Sequence, residues 1–187
     1  MQCSAIILAG GRGRRVGGAD KGLIQTGDEG SLVQQVIERL VDQVDDITIS
    51  ANRNLDQYRR TGYPVIVDAL PEYQGPLAGV QAALPHCQKQ LVVVVGCDTP
   101  RLPLDLASRL LAPLLADSAI EACYAHDGSR EQYLCCAIRR QLKDGLDSYL
   151  AQGRRSVRGW LAQHAAHVVD FSDCADAFSN LNTVSGN

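Results

Sequence analysis

A glycine- and arginine-rich segment near the start of the chain contains the residue types best suited to bind phosphate. It reads Leu8-Ala9-Gly10-Gly11-Arg12-Gly13-Arg14-Arg15-Val16-Gly17-Gly18-Ala19-Asp20-Lys21-Gly22. Glycine lets a backbone turn sharply and approach a ligand, and consecutive free amides can cradle phosphate. Four cations against one aspartate give the segment a local charge of +3, in a chain whose net charge is −3. The segment therefore predicts an oligophosphate site.

Two common phosphate-binding motifs do not fit this segment. After Gly11-x-Gly13, the dinucleotide fingerprint requires glycine where Val16 stands, and the acidic residue at the end of a second strand is missing. A Walker A loop ends in Gly-Lys-Ser/Thr, whereas Lys21 follows an aspartate and precedes a glycine. NAD binding and P-loop chemistry are therefore disfavoured. A solvated surface loop without a ligand is the remaining alternative.

Two aspartates follow apolar runs that are typical of buried strands. Asp98 comes three residues after the last valine of Leu91-Val92-Val93-Val94-Val95, and Asp68 comes directly after Val65-Ile66-Val67. Ligands of open α/β sheets bind beyond the carboxyl ends of strands, so both aspartates should face the glycine-rich segment if strands one, three and four are neighbours. Mg²⁺ is normally held by one or two carboxylates plus phosphate oxygens, which makes Asp98 the expected metal ligand. A helix cap or turn is the alternative for Asp98 and the stronger rival for Asp68.

Three further side chains have a functional and a structural interpretation. Asn52 follows the strand ending at Ser50 and could bond a ribose or a base, although asparagine in a turn is often structural. Cys97 precedes Asp98 and is either a reactive thiol or, as we favour, a small buried apolar residue. Trp160 lies near Arg154, Arg155 and Arg158, a group that could receive an anion or simply anchor a terminal helix.

The elements that must position these residues alternate between strand and helix. Seven short apolar runs predict strands: Ser4–Leu8, Ile47–Ser50, Val65–Val67, Leu91–Val95, Ala122–His126, Tyr133–Ile138 and Ala166–Asp170. Helical patterns follow a Ser31 cap, begin near Pro76, run from Pro103 to about Leu115, and run from Leu142 to Leu150 with Gly153 as the stop. Unbroken apolar strands suit a sheet covered on both sides. The pattern predicts a three-layer α/β/α fold with a mostly parallel sheet.

Length and composition restrict the class of protein. A chain of 187 residues, 45% hydrophobic and 21% charged, fits one globular domain over residues 1–187. A net charge of −3 disfavours binding to nucleic acid or to an anionic membrane surface. Seven cysteines without C-x-x-C spacing predict neither a disulfide framework nor structural zinc. We find neither a signal sequence nor an apolar run of membrane-spanning length, so a cytoplasmic protein with reduced thiols is expected.

Four motifs in order give the chain a family resemblance. The glycine-rich segment ending in Asp20-Lys21-Gly22, then Ala51-Asn52-Arg53, then Gly75-Pro76-Leu77-Ala78-Gly79, then Cys97-Asp98-Thr99-Pro100, resembles the molybdenum cofactor guanylyltransferases over nearly the whole chain. The resemblance implies a Rossmann-like nucleotidyltransferase fold. It also implies Mg²⁺ and a reaction of GTP with molybdopterin cofactor that yields the guanine dinucleotide cofactor and pyrophosphate.

The same resemblance implies roles for individual residues. Backbone groups of Leu8, Ala9 and Gly10 would contact guanine, Arg15 and Lys21 the phosphates, Asp68 the nucleotide and Asp98 the metal. Gly11 and Asn52 are further candidates for nucleotide binding, and Arg15, Lys21 and Asp98 form the expected catalytic set. The residues expected toward the pterin are Gly75, Gly79, Asn180 and Asn182.

Two other functions remain open at this point. A cytidylyl or sugar-1-phosphate nucleotidyltransferase would use the same phosphate loop and metal aspartate, although such proteins resemble Leu-Ala-Ala-Gly where this chain has Gly10. A catalytically silent GTP-binding protein that recruits partners is the second alternative. Cofactor-biosynthesis proteins and apo-molybdoenzymes are the partners that the family resemblance implies.

Overall fold

One seven-stranded sheet organises the part of the chain that can be described. The computed structural model describes residues 2–9, 20–68 and 75–179. The strands are β1 (Cys3–Leu8), β2 (Asp46–Ser50), β3 (Val65–Ile66), β4 (Leu91–Gly96), β5 (Ala122–His126), β6 (Glu131–Arg139) and β7 (Ala166–Asp170). Their order across the sheet is β3-β2-β1-β4-β6-β5-β7, and β6 runs antiparallel to both of its neighbours while the other pairs are parallel. The mostly parallel sheet expected from the sequence is confirmed.

Helices cover both faces of the sheet. They are α1 (Leu32–Leu40), α2 (Leu55–Arg59), α3 (Pro76–Ala83), α4 (Leu106–Ala116), α5 (Lys143–Ala151) and α6 (Val157–Leu161). Short 3-10 helices span Lys21–Leu23, Gly27–Glu29, Leu84–His86, Arg140–Leu142 and Ser172–Phe178. None of the helices in these described ranges has the length and apolar character needed to cross a membrane.

Alternate residues of the central strands belong to two separate apolar cores, one on each face of the sheet. In β4, Val93 and Val95 pack with α1 and α4, whereas Val92 and Val94 pack with α3, α5 and α6 on the opposite face. Strand β1 divides in the same way, with Ile7 on the first side and Ile6 on the second. A strand with no polar face is therefore buried on both sides, and the three-layer architecture is confirmed.

Local signals account for several helix boundaries. The N–H of Ser31 donates to Gln34 Oε1 at 2.8 Å, and Ser31 Oγ lies 2.9 Å from the same oxygen, so Ser31 caps α1 as expected. Gly153 follows the end of α5 with φ +78, where glycine is favoured because it has no Cβ. Helix α4 begins at Leu106 rather than at Pro103, because residues 103–105 form a turn in which the N–H of Leu106 bonds the Pro103 carbonyl at 3.2 Å.

Two expectations about the elements were wrong or incomplete. Strand β3 pairs with β2, not with β1, so strands one, three and four are not all neighbours. The short helices α2 and α6 were not predicted, since five residues are too few to show a clear helical period. All seven cysteines lie in described residues and are free thiols.

Candidate active site

The carboxyl ends of four parallel strands form one polar edge of the sheet. The strand register aligns one row of residues: Ile66, Ser50, Leu8 and Gly96. Asp68, Asn52 and Asp98 each lie two residues beyond their position in this row. Neighbouring strands are about 4.8 Å apart, so the row positions that Asp68 and Asp98 follow are separated by about 14 Å. The two aspartates therefore belong to different parts of the edge.

Lys21 and Asp98 meet at this edge, although 77 residues separate them in sequence. Lys21 is the first residue of the 3-10 helix Lys21–Leu23, and Asp98 lies in the turn after β4. Lys21 Nζ is 3.5 Å from Asp98 Oδ2, and the two side chains remain 24% and 27% exposed. A partly exposed pair of this kind contributes about 1 kcal/mol or less to stability. Both groups consequently remain accessible to a charged ligand.

Glycine at position 96 leaves room for the Asp98 carboxylate. A Cβ on Gly96 would lie 2.7 Å from Asp98 Oδ1, closer than van der Waals contact allows. The neighbouring Thr99 turns inward, and its hydroxyl donates to the Gly96 carbonyl at 3.1 Å. The end of β4 is thus shaped so that the carboxylate, and not the threonine, faces the edge.

A second polar group lies at the ends of β2 and β3. Asn52 Nδ2 donates to Asp68 Oδ2 at 2.8 Å, and the N–H of Asp68 donates to Asn52 Oδ1 at 2.9 Å. Ser50 Oγ donates to Asp68 Oδ1 at 3.2 Å. Ser50 was not predicted as a site residue; a small polar side chain at the carboxyl end of a buried strand could have indicated it. The Asn52 amide thus orders the Asp68 segment, and a role of Asn52 in binding nucleotide stays a prediction.

The two glycines expected on the pterin side have clear local roles. Gly75 has φ +88 and precedes Pro76, the first residue of α3, so it supplies a backbone conformation that other residues rarely adopt. A Cβ on Gly79 would lie 2.5 Å from Ser50 Oγ and 3.0 Å from Leu8 Cδ2. Gly79 therefore allows α3 to pack directly against the polar edge.

Some of the remaining predicted site residues lie at the polar edge, and the others lie outside the described residues. Leu8 ends β1, its carbonyl accepts from the N–H of Cys97 at 3.1 Å, and the N–H of Ala9 donates to the Ser50 carbonyl at 2.8 Å. Five residues lie outside the described residues: Gly10, Gly11, Arg15, Asn180 and Asn182. Their predicted roles remain predictions.

The thiol of Cys97 is not poised for nucleophilic chemistry. Burial, and then the nearby charge of Asp98, raises the pKa of Cys97 to about 12. The thiolate is the nucleophilic form, so a thiol with this pKa is unreactive near neutral pH. The side chain instead packs in the apolar core, consistent with the structural interpretation of Cys97.

Trp160, Arg154 and Arg155 each contact side chains or carbonyl groups of neighbouring residues in the sequence. Trp160 is buried, and its ring meets the ring of His164 edge-on at 5.1 Å. Arg154 lies over the ring of Tyr149 at 4.4 Å, and Arg155 Nη1 donates to the Leu150 carbonyl at 2.7 Å. The anchor role of Trp160 fits these contacts.

The donor set at the edge suits a metal that is shared with a ligand. Among residues 2–9, 20–68 and 75–179, no three His, Cys, Asp or Glu side chains form a metal-binding group. Mg²⁺ does not require one, because it commonly binds through one or two carboxylates together with substrate phosphates and water. A single half-exposed aspartate beside a cationic side chain fits that mode of binding.

Comparison with known proteins first shows the class of protein to which the chain belongs. Residues 5–168 match the model of the MobA-like NTP transferase domain, so the sheet and its polar edge are those of a nucleotidyltransferase. The chain is 43% identical to a molybdenum cofactor guanylyltransferase of Shewanella loihica, over 97% of this chain and 92% of the relative. It belongs to the family of molybdenum cofactor guanylyltransferases.

Solved structures of low sequence identity share the fold. A molybdopterin-guanine dinucleotide biosynthesis protein A from Archaeoglobus fulgidus has a TM-score of 0.77 at 19% identity, covering 97% of this chain and 93% of that chain. A 2-C-methyl-D-erythritol 4-phosphate cytidylyltransferase from Francisella tularensis has a TM-score of 0.72 at 15% identity, covering 98% and 95%. The fold therefore occurs with more than one nucleotide specificity.

Proposed function

We propose that the protein transfers GMP from GTP to molybdopterin cofactor, releasing pyrophosphate and forming the guanine dinucleotide cofactor. One observation carries the proposal: Lys21 Nζ lies 3.5 Å from Asp98 Oδ2 at the carboxyl edge between two adjacent parallel strands. A cation and a carboxylate at that position suit a magnesium-bound triphosphate. The 43% identity to a relative named as a guanylyltransferase supports guanine as the base.

The reaction needs positioning and charge neutralisation more than proton transfer. The terminal phosphate of molybdopterin is already anionic near neutral pH, so its attack on the α-phosphorus of GTP requires no general base. Asp98 would hold Mg²⁺, which when bound offsets negative charge on the phosphates. Lys21 and Arg15 would neutralise the charge that accumulates on the departing pyrophosphate.

This assignment implies that the Lys21–Asp98 ion pair separates when the nucleotide binds. The ammonium group and the carboxylate face each other at 3.5 Å. A triphosphate attracts the ammonium group, whereas its cation attracts the carboxylate. Binding of the nucleotide would thus replace one ion pair with two stronger interactions, and the loose geometry of the existing pair makes that exchange inexpensive.

The other expected contacts complete the proposed site. Backbone groups of Leu8, Ala9, Gly10 and Gly11 would contact the nucleotide, with Asn52 and Asp68 binding its sugar or base from the ends of β2 and β3. We place the acceptor on the side of α3, through Gly75 and Gly79, together with Asn180 and Asn182. Residues 1–187 would act as one nucleotidyltransferase domain in the cytoplasm, and cofactor-biosynthesis proteins and apo-molybdoenzymes would be its partners.

Pyrophosphate release tests the proposal directly. The purified protein is incubated with molybdopterin cofactor, Mg²⁺ and one of four nucleotides, GTP, CTP, UTP or ATP, while thermal stabilisation by each nucleotide is measured in parallel. We expect turnover and magnesium-dependent stabilisation with GTP. Preference for CTP or UTP would instead indicate a cytidylyl or sugar-1-phosphate transferase. Tight GTP binding without pyrophosphate would indicate a silent binding protein.

A pair of lysine variants provides the matched control. Lys21→Ala removes the cation at the edge, whereas Lys143→Ala removes a lysine that pairs with Asp147 on α5 at 2.5 Å. Both substitutions remove one positive charge from an ion pair. Only Lys21→Ala is expected to lower turnover strongly, so equal activity of the two variants would contradict the assignment of Lys21.

A further inference from the structure

The aspartate that precedes Lys21 is buried and bonded within the protein. Asp20 is 8% exposed. Its Oδ1 accepts from the Tyr58 hydroxyl at 2.6 Å, its Oδ2 accepts from Asn54 Nδ2 at 3.0 Å, and Arg53 Nε lies 3.4 Å from Oδ2. A buried carboxylate with these donors is fully engaged inside the protein. Asp20 is thus an anchor, although it is adjacent in sequence to the proposed catalytic lysine.

The Tyr58 hydroxyl reaches both residues that flank positions 10–19. Tyr58 lies on α2, is completely buried, and its oxygen is 3.4 Å from the carbonyl oxygen of Ala9 as well as 2.6 Å from Asp20 Oδ1. Ala9 follows β1, and Asp20 precedes the helix that carries Lys21. The single hydroxyl proton is donated to Asp20, at the shorter distance, so Tyr58 bonds Asp20 while its ring lies close to the end of β1.

The residue after Lys21 also packs against this phenol. A Cβ on Gly22 would lie 2.4 Å from Tyr58 Oη and 3.1 Å from its Cε1. Gly22 does not have a positive φ, so glycine is required here for space and not for backbone conformation. Tyr58 consequently contacts the neighbours of Lys21 on both sides, through a hydrogen bond to Asp20 and through packing on Gly22.

We propose that Tyr58 is a positioning residue that fixes the backbone on both sides of Lys21, through Asp20 and Gly22, and so presents Lys21 to the nucleotide; this inference rests on the proposed function. The side chain of Lys21 extends to Asp98. Fixing the backbone around Lys21 before the nucleotide binds removes part of the ordering cost of binding. Loss of the hydroxyl should therefore weaken GTP binding more than it destabilises the protein.

The test compares two buried tyrosines that each lose a hydroxyl. Tyr149 is also buried, and its hydroxyl donates to the Ser156 carbonyl at 3.0 Å on the opposite face of the sheet. For Tyr58→Phe we expect the KM for GTP to rise about tenfold, with the KM for molybdopterin cofactor within about twofold of the unsubstituted protein. Tyr149→Phe should change neither KM, although both substitutions should lower Tm by a similar amount.

The outcomes separate this inference from the proposed function. If the unsubstituted protein does not turn over GTP, the proposed function fails. If it does, but Tyr58→Phe has the same KM for GTP as Tyr149→Phe, the hydroxyl contributes only to stability and the inference is wrong. A selective rise in the KM for GTP supports the inference, because a general loss of stability would not distinguish the two substrates.

Discussion

Two aspartates that follow parallel strands at the same edge of the sheet have opposite surroundings. Strands β4 and β5 both run antiparallel to β6, so Asp98 and Asp127 lie beyond strand ends that point the same way. Asp127 is 7% exposed and accepts from the Ser129 N–H at 2.8 Å and from Gln132 Nε2 at 2.6 Å. Asp98 is 27% exposed and faces Lys21 at 3.5 Å.

The surroundings of the two aspartates suit different purposes: Asp127 stabilises a turn, whereas Asp98 stays accessible to a ligand. Burial raises the pKa of Asp127, but hydrogen bonds from Ser129, Gln132 and nearby backbone groups outweigh burial and hold the pKa well below its usual range. The donors come from the turn itself, so this carboxylate stabilises the hairpin between β5 and β6. At Asp98 the carboxylate lies 3.5 Å from the ammonium group of Lys21 and is partly exposed, which leaves it accessible to a metal ion.

The largest difference between the two aspartates should appear in turnover. Asp98→Asn is expected to lower kcat by about 10³-fold, because the carboxylate that would hold the metal is lost at the reacting phosphates. Its Tm should change little, since the Lys21–Asp98 pair contributes little to stability. Pyrophosphate release and thermal unfolding measure the two quantities, and a turnover near that of the unsubstituted protein would refute the role of Asp98.

Lys21→Ala should have the next largest effect. We expect about a 10²-fold loss of kcat, because charge on the departing pyrophosphate is no longer neutralised. Lys143→Ala, the control that removes an exposed ion pair on α5, should keep its activity. Comparable kcat values for the two variants would show that the edge cation is not used.

A smaller effect is expected at the ends of β2 and β3. Asp68→Asn keeps the size of the side chain but removes the charge that Asn52 and Ser50 stabilise. We expect about a tenfold rise in the KM for GTP with kcat nearly unchanged, as for a group that binds nucleotide away from the reacting phosphorus. A fall in kcat at an unchanged KM would assign Asp68 to the chemistry instead.

The smallest effect on activity should come from Asp127, where the change is in stability. Asp127→Asn is expected to keep its kcat and KM and to lower Tm by about 3–6 °C at neutral pH. The folded-state pKa of Asp127 lies below the ordinary value of 3.8, so its contribution is present above that value and is lost as the pH falls below it. Unfolding curves of both proteins should therefore converge in acid; a difference in Tm that persists there would contradict this explanation.

The sequence was sufficient for features that depend on local chemistry. The unbroken valine run of β4 predicted a strand buried on both faces, and Ser31 and Gly153 marked the helix boundaries where they were expected. The lateral position of β3 was not predictable in this way. Its two residues pair with β2, and that choice depends on the twist and packing of the whole sheet.

Contacts distant in sequence explain what was missed at the site. Asp20 looks like part of a charged motif, but Tyr58 and Asn54, which bind it, come 38 and 34 residues later. The need for glycine at position 22 likewise depends on where the Tyr58 ring lies. By contrast, Asp98 could be selected from sequence because a polar residue after a buried parallel strand reaches the ligand-binding edge in this class of fold.

A crystal structure of the protein with GTP and Mg²⁺ would show whether Lys21 and Asp98 bind the nucleotide and its metal. We expect density for the metal bonded to a carboxylate oxygen of Asp98, with Lys21 Nζ displaced from Asp98 and within hydrogen-bond distance of a phosphate oxygen. A triphosphate bound away from the ends of β1 and β4, with the Lys21–Asp98 pair unchanged, would contradict it.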